Sequence, residues 1–319
     1  MNLDLLFENM TNPALLFFML GVIAVLIKSD FSIPTNSSKF ISIYLLFSIG
    51  FKGGHELKHG GGGMEVTSAI LFGILLAVVI PIVSFFLVKK KIGVSNAGAV
   101  AAAYGSVSAV TFITVIGYIE MNNIAYGGYM VAVMAVMEAP SIIVGTFLIN
   151  AFKKGEKHKS SFLKIVHHSV TNGSVLLILG SLMIGFIAND KQAMGIQPFT
   201  TDIFKGFLAV FLLDMGVKSG KKISALYKNG WFPVVFSVFF PLVIGCIIAV
   251  SMEQFFGEGN TLIFAILGAS ASYIAVPAAM KIAAPEANPG LYIPMALAIT
   301  FPVNITLGIP LYHFLINLQ

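Results

Sequence analysis

Long apolar windows, each closed by glycine, proline or charge, recur from one end of the chain to the other. Ten of them approach or reach the length of about 17–25 residues that a membrane-crossing helix needs. They run over 13–28, 36–52, 66–88, 95–118, 124–150, 172–189, 200–217, 231–251, 261–282 and 290–316. The pattern predicts an all-α polytopic membrane protein of ten transmembrane helices. Two windows are interrupted where lipid is thickest, by "AYGSVSAVTF" at 103–112 and by "LGASASYIAVPAAM" at 267–280. Gly105, Ser106, Ser108 and Thr111 weaken span four near its middle, and Ser270, Ser272 and Pro277 do the same in span nine.

The polar punctuation repeats. "IGFKGG" (49–54) ends span two and "MGVKSG" (215–220) ends span seven, so Gly50, Lys52 and Gly54 match Gly216, Lys218 and Gly220. Ser106 and Ser108 match Ser270 and Ser272, Gly128 matches Gly290, and Pro140 matches Pro302. The offset drifts only from 166 to 162 along the chain. Two diverged copies of five spans are expected, residues 1–155 and 166–319, joined by a short cytoplasmic linker over 156–165. An odd number of spans inverts the second copy, the arrangement of many secondary transporters.

Composition agrees. Of 319 residues 57% are hydrophobic and 10% charged, where a soluble domain carries about a quarter charged. The +5 net charge is scattered between apolar windows, which argues against nucleic acid as a partner. Every one of the 19 basic residues is lysine. With both termini outside, fifteen lysines fall in the cytoplasm and only Lys52, Lys58, Lys191 and Lys205 outside. The positive-inside rule therefore puts both termini on the extracytoplasmic side of the plasma (inner) membrane. Asp4 and Glu8 stand where a cleavable signal wants positive charge. Cys246, alone in an apolar stretch, rules out a disulfide framework.

Broken helices expose N–H groups on one half-helix and C=O groups on the other, the first suited to an anion and the second to a cation. Inverted repeats bring two such N-termini to the midplane from opposite leaflets. Without arginine, an anion must rely on backbone N–H groups, hydroxyls, lysine or histidine. Glu138 is the one acid deep within a span, and three roles stay open for it: sodium ligand, proton-coupled carboxylate, or structural partner. Thr300 and Asn304, one turn apart on span ten, offer further oxygens, and Ser106 and Ser270 supply hydroxyls to the same ion; Asn304 equally suits a helix cross-link. Asp214 sits near the end of span seven and is as readily structural. Lys52 and Lys218 suit snorkelling to the interface. His55 and His59, among glycines, read as a flexible external loop rather than a metal pair, and His167–His168 as a solvated face. No phosphate-binding glycine loop, nucleophile–base pair or metal-ligand spacing appears, so the chain reads as a non-enzyme without cofactor, driven by an ion gradient.

"GFKGGHEL", "AYGSVSAVTF", "MEAPSIIVG", "GASASYIAVPAAM", "ANPGLYI" and "FPVNITLGIPLY" together resemble the sodium-dependent bicarbonate transporter family of bacteria. That resemblance implies two inverted repeats with crossing interrupted helices at spans four and nine, core and gate domains each drawn from both repeats, and a homotrimer. It implies symport of bicarbonate with sodium into the cell. It places bicarbonate on Gly105, Ser106, Val107, Ser108 and Thr111, facing Ala269, Ser270, Ala271 and Ser272, and sodium on loop carbonyls and flanking oxygens. Better-known members carry Asp where this chain has Glu138. Some are inhibited by a PII-like signalling protein, a partner that the short linker here puts in doubt. A sodium-coupled organic-anion symporter is the nearest alternative, with an anion channel behind it.

Overall fold

The computed structural model describes residues 13–60, 63–153, 173–227 and 230–319. The proposed linker, Asp4, Glu8 and the histidines at 167 and 168 lie outside them. Among the described residues all regular structure is helical. The first half holds α1 (Pro13–Leu26), α2 (Thr35–Gly60), α3 (Gly63–Ile92), α4 (Val94–Gly105), α5 (Ala109–Met121) and α6 (Met130–Phe152). The second holds α7 (Gly173–Ile187), α8 (Asp190–Gln197), α9 (Phe204–Tyr227), α10 (Trp231–Ala269), α11 (Ala275–Ala283), α12 (Pro289–Pro294), α13 (Phe301–Val303) and α14 (Ile309–Ile316). Two π-helical turns, Met295–Thr300 and Asn304–Gly308, join α12 to α14 through α13.

Among the described residues six stretches are long and apolar enough to cross a bilayer: Gly63–Ile92, Val94–Met121, Met130–Phe152, Asp190–Lys222, Trp231–Ala269 and Pro289–Ile316. Leu15–Leu26 and Gly173–Ile187 are shorter apolar helices. The protein is thus a multi-pass membrane protein. At 39 residues α10 would measure about 58 Å, twice the hydrocarbon thickness. Gly257, at φ 72° and ψ 171°, divides it. Where the apolar pattern predicts a connection over 252–260, helix therefore runs up to and away from a single glycine hinge.

Two helix pairs and a bundle make up the molecule. α1 packs along α9, and α2 along α7, so each pair takes one helix from each half. The repeated glycine motifs make these contacts. A Cβ on Gly54 would collide with the Leu182 carbonyl, one on Gly185 with that of Phe51, and one on Gly216 with that of Phe18. Close backbone approach through small residues is how helices associate where lipid removes the hydrophobic drive. This corrects the expectation of a flexible loop after residue 52: α2 continues through Gly53, Gly54 and His55 to Gly60, because those glycines serve packing. Among the described residues no group of three metal-ligating side chains occurs.

The bundle gathers α3, α4, α5, α6 and α10 onward. α3 and α6 clasp α4, and α10 packs on α14. Its core is fully buried, with Ala99 to Ala103 and Leu262 to Ile266 all at 0% exposure; these two runs approach the two breaks.

Polar contacts gather at the two ends of the molecule. At one end Lys52 pairs with Glu120 at 2.6 Å, His55 with Asp190 at 3.2 Å, and Lys58 Nζ donates to the Ala188 carbonyl at 2.8 Å. At the other, Glu286 Oε1 accepts from Lys153 at 2.6 Å and from Ser95 at 2.9 Å. Partial burial works against the Glu286 charge, but Lys153, its own backbone and Ser95 hold the carboxyl down at about 2. A group depressed in this way contributes stability that is complete above its ordinary value near 4.5 and fades as pH falls toward 2. Glu286→Gln is accordingly expected to flatten the loss of melting temperature between pH 4.5 and 2 and to leave its pH dependence above 5 unchanged, as thermal scans in detergent would show.

Candidate functional site

α4 ends at Gly105, and Ser106 leaves the helix in an extended conformation at φ −83°, ψ 140°. The chain re-enters helix at α5 with Ser108 as N-cap (φ −94°, ψ 109°), its Oγ accepting from the Thr111 N–H at 3.2 Å. That is the preference of serine at helix starts. The second break follows the same plan. α10 ends at Ala269, Ser270 is extended at φ −87°, ψ 167°, and α11 begins at Ala275. The interruptions expected in spans four and nine are therefore present.

The two breaks touch. The Ser108 N–H donates to Ser270 Oγ at 3.1 Å, and the Ser272 N–H donates to the Ala103 carbonyl at 2.8 Å. Ser106, Val107, Ser108, Thr111, Ala269, Ser270, Ala271 and Ser272 are all 4% exposed or less. Extended backbone buried this deeply is tolerated only inside protein or along a polar cavity. A cavity of about 20 Å³ does lie there, lined by Val107, Ser108, Ala109, Glu138, Ser174, Ser272, Tyr273, Ile274 and Ala275. It has room for a water or a bare cation. The first turns of α5 and α11 both reach it, and α11 has no side-chain cap at its start.

Two polar atoms beside the breaks are buried without a hydrogen-bond partner among the described residues: Glu138 Oε1 and Ser106 Oγ. Glu138 lines the cavity; Ser106 does not. An unpartnered carboxylate oxygen at this depth is costly unless an ion or proton completes it. The donor set of Glu138, Ser108 and Ser272 is all oxygen, the chemistry that a hard monovalent cation takes.

Thr300 and Asn304 stand elsewhere. Thr300 Oγ1 donates to the Ser237 carbonyl at 2.8 Å and lies 2.8 Å from the Tyr104 hydroxyl. Asn304 Nδ2 donates to the Ala269 carbonyl at 2.7 Å, and its Oδ1 accepts from Tyr312 at 3.3 Å. Neither lines the cavity that holds Glu138. Asn304 instead grips the last residue of α10 from a π-helical turn, a geometry that recurs at functional positions. Asp214 is bound by Lys218 at 2.6 Å and by the Ser38 hydroxyl at 2.5 Å. Lys52 and Lys218 thus both reach carboxylates rather than only the interface.

Gly105 contributes space. A Cβ there would run into the Pro81 ring and come within 3.0 Å of Ser141 Oγ. Neither ring nor helix can give easily, so Gly105→Ala is expected to cost about 1–3 kcal/mol as overpacking. Lower melting temperature with reduced uptake would be the outcome, read by thermal scans of purified protein.

Sequence reasoning missed Ser174, which enters the cavity from the start of α7. It belongs to no motif, and the packing of α7 on α2 and α6 brings it there. A groove of about 980 Å³ shares Ser174 and Ile274 with the small cavity and runs between α2 and α7 to Lys39 and Lys218. The site therefore has a neighbouring path toward the end that carries those lysines.

A family model, described as the Na+-dependent bicarbonate transporter superfamily, matches residues 13–317. No curated protein matches the chain. With a match across nearly all of its length, and with paired helix breaks around a buried carboxylate, the chain belongs to the Na+-dependent bicarbonate transporter superfamily.

Proposed function

We propose that the protein imports bicarbonate with sodium by alternating access, as a ten-span carrier of two inverted repeats with both termini outside the plasma membrane. The observation that carries this is the meeting of two half-helix N-termini at one small cavity beside Glu138. Family membership supports the substrate and the ion.

Sodium enters first, held by Glu138 with the Ser108 and Ser272 hydroxyls. It offsets the carboxylate charge that would otherwise repel an anion. Bicarbonate then docks on the first-turn N–H groups of α5 and α11, where helix dipoles favour negative charge. The cavity as it stands is too small for both, so binding accompanies movement of the bundle along the two helix pairs. Gly105, Ser106, Val107, Thr111, Ala269, Ser270 and Ala271 form the walls and backbone of this site. Thr300 and Asn304 act by fixing Tyr104 and the Ala269 carbonyl. A homotrimer would hold the helix pairs still while each bundle moves. A cavity this small, lined mainly by short side chains beside Tyr273 and Ile274, favours bicarbonate over a bulkier organic acid.

Uptake of labelled bicarbonate into proteoliposomes tests the reading. Concentrative uptake driven by inward sodium, and lost when potassium replaces sodium, is the expected result. No uptake above empty liposomes by folded, inserted protein overturns it.

A further inference from the structure

The helix pairs and the bundle meet through charge at the end that the proposed orientation places outside. Lys52 on α2 holds Glu120, near the end of α5, at 2.6 Å. Glu56, one turn beyond Lys52 on the same helix, is left over. Its Oε2 is buried without a hydrogen-bond partner among the described residues. The bundle covers it: a Cβ added to Gly128, just ahead of α6, would stand 2.9 Å from the Glu56 Cβ. A carboxylate oxygen shut away like this raises the free energy of the state that shuts it. Lys52, Glu56 and Glu120 line one cavity of about 480 Å³, so the ammonium has space to move between the two acids. Residues four apart on a helix are neighbours and can pair. The lysine that matches Lys52 in the repeat does so: Lys218 holds Asp214, four residues before it, at 2.6 Å. On α2 the acid follows the lysine instead, and the pair is open.

We propose that Lys52 is a latch with two positions: it grips Glu120 while this end is closed, and turns to Glu56 on its own helix when the bundle moves away. The inference rests on the alternating-access reading above. Closing gives Lys52 an ion pair across the gap but strands Glu56. Opening breaks that pair, uncovers Glu56 and lets Lys52 neutralise it, while Glu120 passes to water. Each state therefore keeps one lysine–carboxylate pair, and a partly exposed pair contributes little, so neither state is a trap. At the opposite end, the groove of about 980 Å³ runs from beside the site to Lys39 and Lys218. The molecule is thus bridged at one end and grooved at the other, the arrangement in which the latch should stand on Glu120.

Two neutralised acids with opposite effects test the latch in proteoliposomes. External sodium binds only the open state, so its apparent affinity follows the fraction of carriers that are open. Glu120→Gln weakens the closed position. It should lower the external sodium concentration for half-maximal uptake by up to about fivefold, the effect of one such pair. Glu56→Gln removes the open partner and relieves the closed state, and should raise that concentration by a similar factor. If the two acids merely attracted sodium, both variants would shift the same way. Any pattern other than opposite shifts in these directions overturns the proposal. Contact is read on the parent protein. A water-soluble carbodiimide condenses a touching lysine and carboxylate into an amide and takes up the water as its urea. Peptide mapping should find Lys52 joined to Glu120 in some molecules and to Glu56 in others. No Lys52–Glu56 amide in protein that transports overturns the proposal, whatever the variants do. Absence of sodium-driven uptake in the untreated parent overturns the transport reading beneath it, which separates the two failures.

Discussion

Glu138→Ala is expected to abolish sodium-driven uptake without lowering the melting temperature. The carboxylate lines the cavity between the two breaks, and its Oε1 has no hydrogen-bond partner among the described residues. A structural acid would behave in the opposite way, since removing one member of a buried pair strands the other at a cost of about 3–5 kcal/mol. Here nothing is stranded, and deleting an uncompensated buried charge relieves its desolvation cost. The loss falls on the ion instead. Removing a charged ligand should raise the sodium concentration for half-maximal uptake by about 10–100-fold or more. Glu138→Asp keeps the charge one methylene further back and should fall between parent and alanine. Initial uptake rates across a sodium series, with thermal scans on the same preparations, check both halves. Unchanged sodium dependence in Glu138→Ala would remove this residue from the coupling site.

Gly54→Leu should produce the largest structural effect of any glycine-to-leucine exchange in the helix pairs. The added side chain would start against the Leu182 backbone carbonyl, where no rotamer relieves the contact. Gly50 and Gly185 lie on the same seam, with Cβ positions against Ile178 and Phe51 backbone oxygens, so α2 and α7 cannot slide to accommodate it. Overpacking of this kind costs about 1–3 kcal/mol even where neighbours yield, and here they are main chain. Most of the protein should leave the monodisperse fraction in detergent. Gly63→Leu is the control, because nothing lies within 4 Å of a Cβ there. Equal behaviour of the two variants would argue against the seam.

What the sequence revealed was whatever depended on local chemistry. Serine and glycine inside apolar windows located both breaks to within a residue or two, because hydroxyls and missing side chains weaken a helix wherever they stand. The same glycines misled at 53–60, where a run rich in glycine and histidine reads as loop and is helix to Gly60. A glycine that leaves room for a neighbour looks identical, in one dimension, to a glycine that bends the chain. Residues 252–260 misled differently: one positive-φ glycine, Gly257, does the work of a whole connection. Grouping Thr300 and Asn304 with Glu138 followed repeat symmetry. Their hydrogen bonds go instead to Tyr104, Ser237, Ala269 and Tyr312, partners that only tertiary packing supplies. Ser174 was invisible for the same reason.

The exchange of helices between the two halves has a consequence for how the protein is made. α1 and α2 leave the ribosome first, yet their partners α9 and α7 are encoded much later. From the end of α1 to the start of α9 is about 180 residues, roughly ten to forty seconds of synthesis at about 5–20 residues per second. α2 waits for α7 across about 110 residues, and until then it must hold Lys39, Lys52 and Glu56 in the bilayer or at its edge without the seam that later shields it. Newborn chains should therefore depend most on the insertion machinery while the first half waits for the second, and a truncated first half should be a substrate for membrane proteolysis rather than a stable fragment.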